Sequence, residues 1–382
     1  MILMHKEKIK FFVQQIALIL LTLVILDFGL WLFHPFFLNT GGTVLVHQSL
    51  SGLKPQIMYS VIEGGMRSLS IKSLSDRKMA KRVLCVGAST TDQSTQETGD
   101  TWCGLLEKLI KDNSDEKRIN FQTISFGRGG MKSIETAGWL FENVDLINPD
   151  IVITLLGVND LSLNGGPEYQ TKNPVDYITR IQEKSANVRD LFEQYCLKLS
   201  QLCRVTKLVQ DKIRVSNAIK AGDIVEWHSA NLPTLRQKYK DYPFVDAPIR
   251  TPDPIVEFQD SVRWILNFLS ARGVRVIVLG QPVLWKDALT SEENDVLWFP
   301  VNTYKGFVRT SAAWHQMEIQ KFNEAQKQEA SAFGFEFIDL DRILPKTLST
   351  YFDDCHYTDQ GSAAVAQAVA PSLRRMLTNM SP

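Results

Sequence analysis

The sequence predicts an α/β fold, a parallel sheet of about five strands with helices on both faces, preceded by an N-terminal transmembrane helix. Three observations predict it. Short, uniformly apolar runs such as Ile151 to Leu156 read as central strands of a parallel sheet. Longer stretches carry apolar residues at helical spacing, as Trp102, Leu105, Leu106 and Leu109 do. The two kinds of run alternate from about residue 82 onward, as strand–helix–strand units do.

The first element is the apolar run Phe11 to Phe33, whose strongly polar members are Gln14, Gln15 and Asp27. At about 1.5 Å per residue it spans about 34 Å, enough for a bilayer core. Lys6, Lys8 and Lys10 precede it, and no Lys or Arg follows until Lys54. The positive-inside rule therefore keeps residues 1–10 in the cytoplasm and exports the rest. The run is longer than the ~7–15 residues of a signal peptide, and no A-x-A-like site follows, so it reads as an anchor over residues 11–33. Asp27 is costly in lipid and suits either a partner membrane protein or the outer interface. Residues 34–81 mix Gly, Ser and charge with weak periodicity and read as a stalk and lead-in, and residues 82–382 as the folded domain.

Within the domain, Val83 to Val86 reads as the first strand and Trp102 to Lys111 as the first helix. Phe121 to Phe126, Ile134 to Val144 and Ile151 to Leu156 continue as strand, helix and strand. The alternation then breaks over an insertion at about 161–254. There Leu161 to Asn173 is loop-like, Ala186 to Val215 helical, and Leu232 to Pro254, rich in Pro and aromatic residues, reads as an irregular cover. A helix at Ile255 to Ala271 and a strand at Val274 to Leu279 resume the pattern. A second insertion covers 285–314, and the helix Ala312 to Phe333, the strand Phe335 to Leu340 and the helix Thr358 to Leu377 complete it. Both insertions leave the C-terminal ends of strands, where α/β domains build sites, and so read as walls of a substrate cleft.

Composition narrows the function. With 382 residues, 44% apolar, the chain can bury a large core, and 42 basic residues cancel 42 acidic ones. No global field recruits nucleic acid. The five cysteines, Cys85, Cys103, Cys196, Cys203 and Cys355, show no paired spacing, so one disulfide is allowed and none is required. Gly127 to Gly130 lacks the G-x-G-x-x-G spacing, Gly130-Met131-Lys132-Ser133 misses the phosphate-loop pattern by one residue, and His228 and His315 have no partners at metal-ligand spacing. No cofactor or metal is expected.

The strand exits carry the chemistry. They read Gly87-Ala88-Ser89, Gly127-Arg128-Gly129-Gly130, Gly157-Val158-Asn159-Asp160 and, after the last strand, Asp353-Asp354-Cys355-His356. A serine needs a neighbouring base to act as a nucleophile, and the base needs an orienting carboxylate. His356 and Asp353, three residues apart, suit those roles toward Ser89; Asp354, two residues from His356, points differently. The Ser89 amide, the Gly130 amide and the Asn159 side chain are the candidate donors for an oxyanion. Arg128 reads as a solvated loop arginine.

These four blocks, in this order, resemble those of the SGNH hydrolase, or GDSL, superfamily. The resemblance covers roughly Lys81 to Leu377, interrupted by the insertions, and assigns Ser89 as nucleophile, Gly130 and Asn159 to the oxyanion hole, and Asp353 with His356 as its base pair. It implies a flavodoxin-like three-layer α/β/α sandwich. Ala88 stands where that family has the acid of G-D-S, and Ser125 where its second block often has Asn. The Gly-x-Ser-Thr-Thr block, QPVLW at Gln281 to Trp285 and DVLWF at Asp295 to Phe299 look similar to a membrane-anchored, exopolysaccharide-associated branch. That likeness implies a bacterial inner-membrane protein with a periplasmic or extracellular catalytic domain, acting beside a polysaccharide-synthesis or acyl-donor protein. The expected activity is a serine esterase on O-acyl groups of an extracellular polysaccharide, O-acetyl foremost. A polysaccharide O-acetyltransferase with the same triad and a non-catalytic carbohydrate-binding or scaffold subunit are the alternatives.

Overall fold

A computed structural model describes residue 22 and residues 43–47, 57–61, 66–71, 74, 80–94, 96–112, 119–162, 232–250, 253–303 and 305–380. The chain divides into two compact units. One comprises Met1–Thr43 and Thr179–Glu226 and is almost wholly outside the described residues. The other comprises Val44–Ile178 and Trp227–Pro382 and carries the five-stranded sheet and the site described below. The predicted anchor, Thr22 apart, and the predicted helix over 186–215 lie outside the described residues. Among the described residues no helix is long and apolar enough to cross a membrane.

Two short strands, β1 (Thr43–His47) and β2 (Ile57–Val61), form a sheet of their own. The domain proper opens with β3 (Lys81–Gly87), the one-turn helix α1 (Ser89–Asp92) and α2 (Trp102–Asp112). It continues through β4 (Phe121–Gly127), α3 (Ser133–Ile147) and β5 (Ile151–Leu155). After the first insertion come α4 (Leu232–Asp241), α5 (Pro254–Ser270) and β6 (Arg275–Leu279). The second insertion holds α6 (Ser291–Asp295) and the hairpin β7 (Val301–Thr303) and β8 (Gly306–Val308). Last are α7 (Ala312–Ala332), β9 (Glu336–Ile338), α8 (Leu340–Ile343) and α9 (Asp359–Thr378).

Five strands pair in the order β4-β3-β5-β6-β9, every neighbour parallel. The expected five-stranded parallel sheet is therefore present. Stepping from β3 to β4 and back across to β5 reverses direction, so right-handed crossovers place α2 and α3 on opposite faces. Accordingly α9 packs with α2, while α5 packs with α3 and α7. The reversal leaves a crevice at the C-terminal ends of β3 and β5, where such sheets bind ligands. All five residues of β5 are buried, which explains its uninterrupted apolar sequence.

One feature differs from the sequence reading and two go beyond it. Leu232 to Asp241 is a helix rather than irregular cover. Pro233 falls in its first turn, where a missing N–H costs nothing, and Arg236 ties the helix to the Val296 and Phe352 carbonyls. The lead-in is more than a tether, since Met66, Ile71 and Leu74 lie buried in the main core. Cys85 on β3 and Cys103 on α2 form a disulfide, joining the first strand to its crossover helix although their spacing had singled out no pair.

Candidate active site

The Ser89 turn is built by close approach. At the end of β4 a side chain at Gly127 would collide with the Ala88 carbonyl and the Asp92 amide, so only glycine lets that strand lie against the turn. Ser89 opens α1, and its own amide has no partner within a turn that starts there. The turn is then locked from outside. The Gln93 side chain accepts the Trp102 amide at 2.7 Å and donates to Ser362 Oγ at 2.5 Å, while Gln96 Nε2 reaches Asp359 at 3.0 Å. Asp359 and Ser362 lie in the first turn of α9, which Thr358 caps by accepting the Gly361 amide at 3.1 Å. The Ser89 turn is thereby bonded to the helix that begins just after His356.

His356 Nε2 lies 2.8 Å from Ser89 Oγ, and its Nδ1 lies 2.9 and 2.8 Å from the two carboxylate oxygens of Asp353. A carboxylate only accepts, so Nδ1 carries the hydrogen and Nε2 presents a lone pair to the serine hydroxyl. Asp353 is fully buried. Burial by itself would raise its pKa, but the charge and hydrogen bond of His356, the Cys355 amide and the Trp298 indole outweigh it and hold the carboxyl below its ordinary value. The structure thus brings together the three residues that the sequence singles out as nucleophile, base and orienting acid.

Asp354, the alternative acid, faces away from His356 and binds the second insertion. Its Oδ2 accepts the Trp298 amide at 2.7 Å and the Phe299 amide at 3.1 Å, and its Oδ1 accepts the Trp285 indole at 2.8 Å. Burial, joined by the neighbouring Asp353 charge, pushes the Asp354 carboxyl up to about 7 against the pull of the Trp298 and Trp285 donors. At its far end the same insertion strand is pinned by the Asn302 amide, which donates to Ser162 Oγ at 3.1 Å. Residues 298–302 therefore run from the Asp353 loop to the loop after Asn159.

The oxyanion candidates sit on loops that are tied to each other. Asn159 Nδ2 donates to the Met131 carbonyl at 2.9 Å, which leaves its second hydrogen for another acceptor. The buried Asp160 carboxylate accepts Ser133 Oγ at 2.6 Å and the Ser133 amide at 3.1 Å, so it anchors the start of α3 against the exit of β5. Burial raises the Asp160 pKa. Gly130, between these anchors, is exposed with φ +75°, a conformation that favours glycine. Arg128 pairs with Glu135 at 3.5 Å on the surface, as a solvated loop arginine would.

Two contributors were not read from the sequence. Arg67 pairs by backbone hydrogen bonds with Ser125 on the free edge of β4, both at 2.8 Å. Its buried guanidinium then donates to the carbonyls of Asp92, Gln93 (3.1 Å) and Gln96 (2.6 Å), under the Ser89 turn. Trp298 is the other, its indole N–H donating to Asp353 Oδ2 at 2.9 Å. Neither has a local signal, because each acts across more than twenty residues of chain. Asp92 closes α1, and burial lifts its pKa to about 6, opposed by Arg67 and His356.

Asp353, Cys355 and His356 also bring three ligand-type atoms within 4.8 Å of one another. The donor set suits hydrogen bonding better than a cation. The carboxylate already accepts from the Cys355 and His356 amides at 3.0 and 2.9 Å, and burial pushes the Cys355 thiol well above its ordinary pKa. His315 is a core residue stacked on Trp285 at 4.3 Å, and burial lowers its pKa to about 3.

The family match spans the residues that carry this site. Residues 85–364, well over half the chain, match the GDSL-like Lipase/Acylhydrolase family. No curated protein matches the chain. Among solved structures, the acetyl xylan esterase AlAXEase aligns at 13% identity over 76% of this chain and 99% of its own, with a TM-score of 0.40. Axe2, an acetylxylan esterase from Geobacillus stearothermophilus, aligns at 11% identity over 80% and 98%, TM-score 0.40. A GDSL-like lipase from Bacteroides thetaiotaomicron aligns at 12% identity over 78% and 89%, TM-score 0.38. By its family match, then, this chain belongs to the GDSL-like lipase/acylhydrolase (SGNH) family and is a serine hydrolase.

Proposed function

We propose that the chain is a membrane-anchored serine esterase that removes O-acyl groups, O-acetyl foremost, from an extracellular polysaccharide through an acyl-Ser89 intermediate. One observation carries this reading: the unbroken hydrogen-bond chain Asp353–His356–Ser89, with no contact in it longer than 2.9 Å. His356 Nε2 takes the Ser89 proton as Oγ attacks the ester carbonyl, and Asp353 supports the imidazolium that forms. The oxyanion receives the Ser89 and Gly130 amides and the free N–H of Asn159. His356 then protonates the departing sugar oxygen. Water attacks the acyl-serine and gives a proton to the same nitrogen; the acyl–Oγ bond then breaks, His356 returns the proton to Ser89 Oγ, and a carboxylic acid leaves.

Several features support the setting. Lysines before an apolar run of bilayer length favour a cytoplasmic N-terminus and an exported domain. The Cys85–Cys103 disulfide suits an oxidising compartment. The phrases around Trp285 and Trp298 carry the exopolysaccharide likeness.

The test is fluorophosphonate labelling of the full-length protein, with the modified peptide identified by mass spectrometry. Ser89 should carry the label, and Ser89→Ala should lose about a thousandfold or more of p-nitrophenyl acetate turnover. Incubation with an acetylated oligosaccharide then separates outcomes. Free acetate is the expected product, whereas acetyl moved onto a second sugar would make the enzyme a transferase. Unchanged turnover in Ser89→Ala would end the esterase reading.

A further inference from the structure

We propose that Trp298 is a positioning residue of the acyl-transfer site, its indole N–H fixing the Asp353 carboxylate from outside the Asp353–His356 loop. This role rests on the assignment of Ser89, His356 and Asp353 to catalysis. It makes the second insertion part of the machinery that orients the base as well as a wall of the cleft.

The argument is one of reference frames. Asp353 Oδ1 accepts the Cys355 and His356 amides, and both oxygens face His356 Nδ1. All those donors belong to the same four-residue loop, so they travel with the carboxylate and cannot fix it against Ser89. The Trp298 indole, 55 residues away in sequence, supplies the donor from another element, at 2.9 Å to Oδ2. Trp298 is itself held from outside that loop, because Arg236 of α4 donates to the Val296 carbonyl at 3.2 Å on one side of it and the Asn302 amide donates to Ser162 Oγ at 3.1 Å on the other. The indole also lies parallel to the His356 ring, 6° between planes at a 6.4 Å centroid distance. One side chain therefore ties the orienting acid to an insertion that is anchored at α4 and at the loop after β5.

The electrostatics have a definite sign. An N–H donated to a carboxylate favours its anion, the form that supports a protonated His356. Removing the donor makes Asp353 easier to protonate and leaves its charge less shared, and either effect moves the acid limb of kcat/KM to higher pH. The titratable and charged groups facing this pair are Asp354 and Cys355 on its own loop, Asp92 at the end of α1 and Arg236 of α4, which donates to the Phe352 carbonyl at 3.2 Å. Trp298→Phe changes none of them.

The experiment compares full-length wild type, Ser89→Ala and Trp298→Phe with p-nitrophenyl acetate across pH, alongside thermal midpoints. Trp298→Phe should lose about tenfold in kcat, with KM changed less, and its acid limb should move up by about one pH unit. A wild-type limb in folded Trp298→Phe, or an activity loss that merely follows a lowered thermal midpoint, overturns the positioning role. If Trp298→Phe does not fold, benzothienylalanine is incorporated at residue 298 instead, replacing the indole N–H by sulfur at nearly constant shape. A shifted acid limb in that protein supports the role, and a wild-type limb overturns it. Residual wild-type turnover in Ser89→Ala would instead strike at the serine assignment, so the two failures are distinguishable.

Discussion

Arg67 offers the sharpest test of how the nucleophile turn is held. Arg67→Met keeps the length and apolar stem of the side chain and removes the guanidinium from beneath α1. Three backbone carbonyls, those of Asp92, Gln93 and Gln96, lose a charged donor in a place where Arg67 is only 3% exposed. Charged hydrogen bonds contribute about 1.5–3 kcal/mol each and an orphaned buried acceptor costs about 1–3 kcal/mol. The desolvation of the buried cation is recovered at the same time, so the net destabilisation should be about 2–4 kcal/mol. The functional effect should exceed what stability explains. Ser89 sits 2.8 Å from His356, and a displacement of about 1 Å costs about a hundredfold in rate. Urea unfolding of the full-length protein measures the first quantity and the rate of fluorophosphonate labelling at Ser89 the second. A variant that unfolds within about 0.5 kcal/mol of wild type and labels at the wild-type rate would refute the claim that Arg67 holds this turn.

Two further outcomes follow from the same geometry. Asp92 has a pKa lifted by burial to about 6, so the folded state binds its proton more tightly than the unfolded chain, and stability is lost as pH rises from about 4 through 6. Asp92→Asn should therefore match wild type near pH 4 and be more stable above pH 6, by denaturant midpoints. By removing an anion that faces His356, it should also move the acid limb of kcat/KM downward, opposite to Trp298→Phe. Asn159→Ala should lower kcat by about a hundred- to a thousandfold with little change in thermal midpoint, as removal of an oxyanion donor does. A loss of stability with kcat retained would make the bond from Asn159 to the Met131 carbonyl its only role.

Much of this protein was determined by local sequence. The apolar run Ile151 to Leu156 and its counterparts could bury themselves only as central parallel strands, and the helices between them follow from apolar residues at helical spacing. The strand exits then had to share one edge, which is why Ser89, Asp353 and His356 are legible in the sequence alone. Leu232 to Asp241 reads wrongly as irregular chain because of its Pro and aromatic residues, whereas the proline falls in the first turn and Arg236 supplies tertiary bonds. Spacing favoured Asp353 over Asp354 as partner of the base, but only the tertiary structure decided what the second acid does. Asp353 and Asp354 differ by one position, and their opposite duties appear only once the Trp285 and Trp298 donors claim Asp354 and the His356 ring claims Asp353. The same holds for Arg67, for Trp298 and for the pairing of Cys85 with Cys103. Each depends on two segments meeting in space, and neither hydrophobic periodicity nor motif spacing carries information about contacts made across loops of unspecified path.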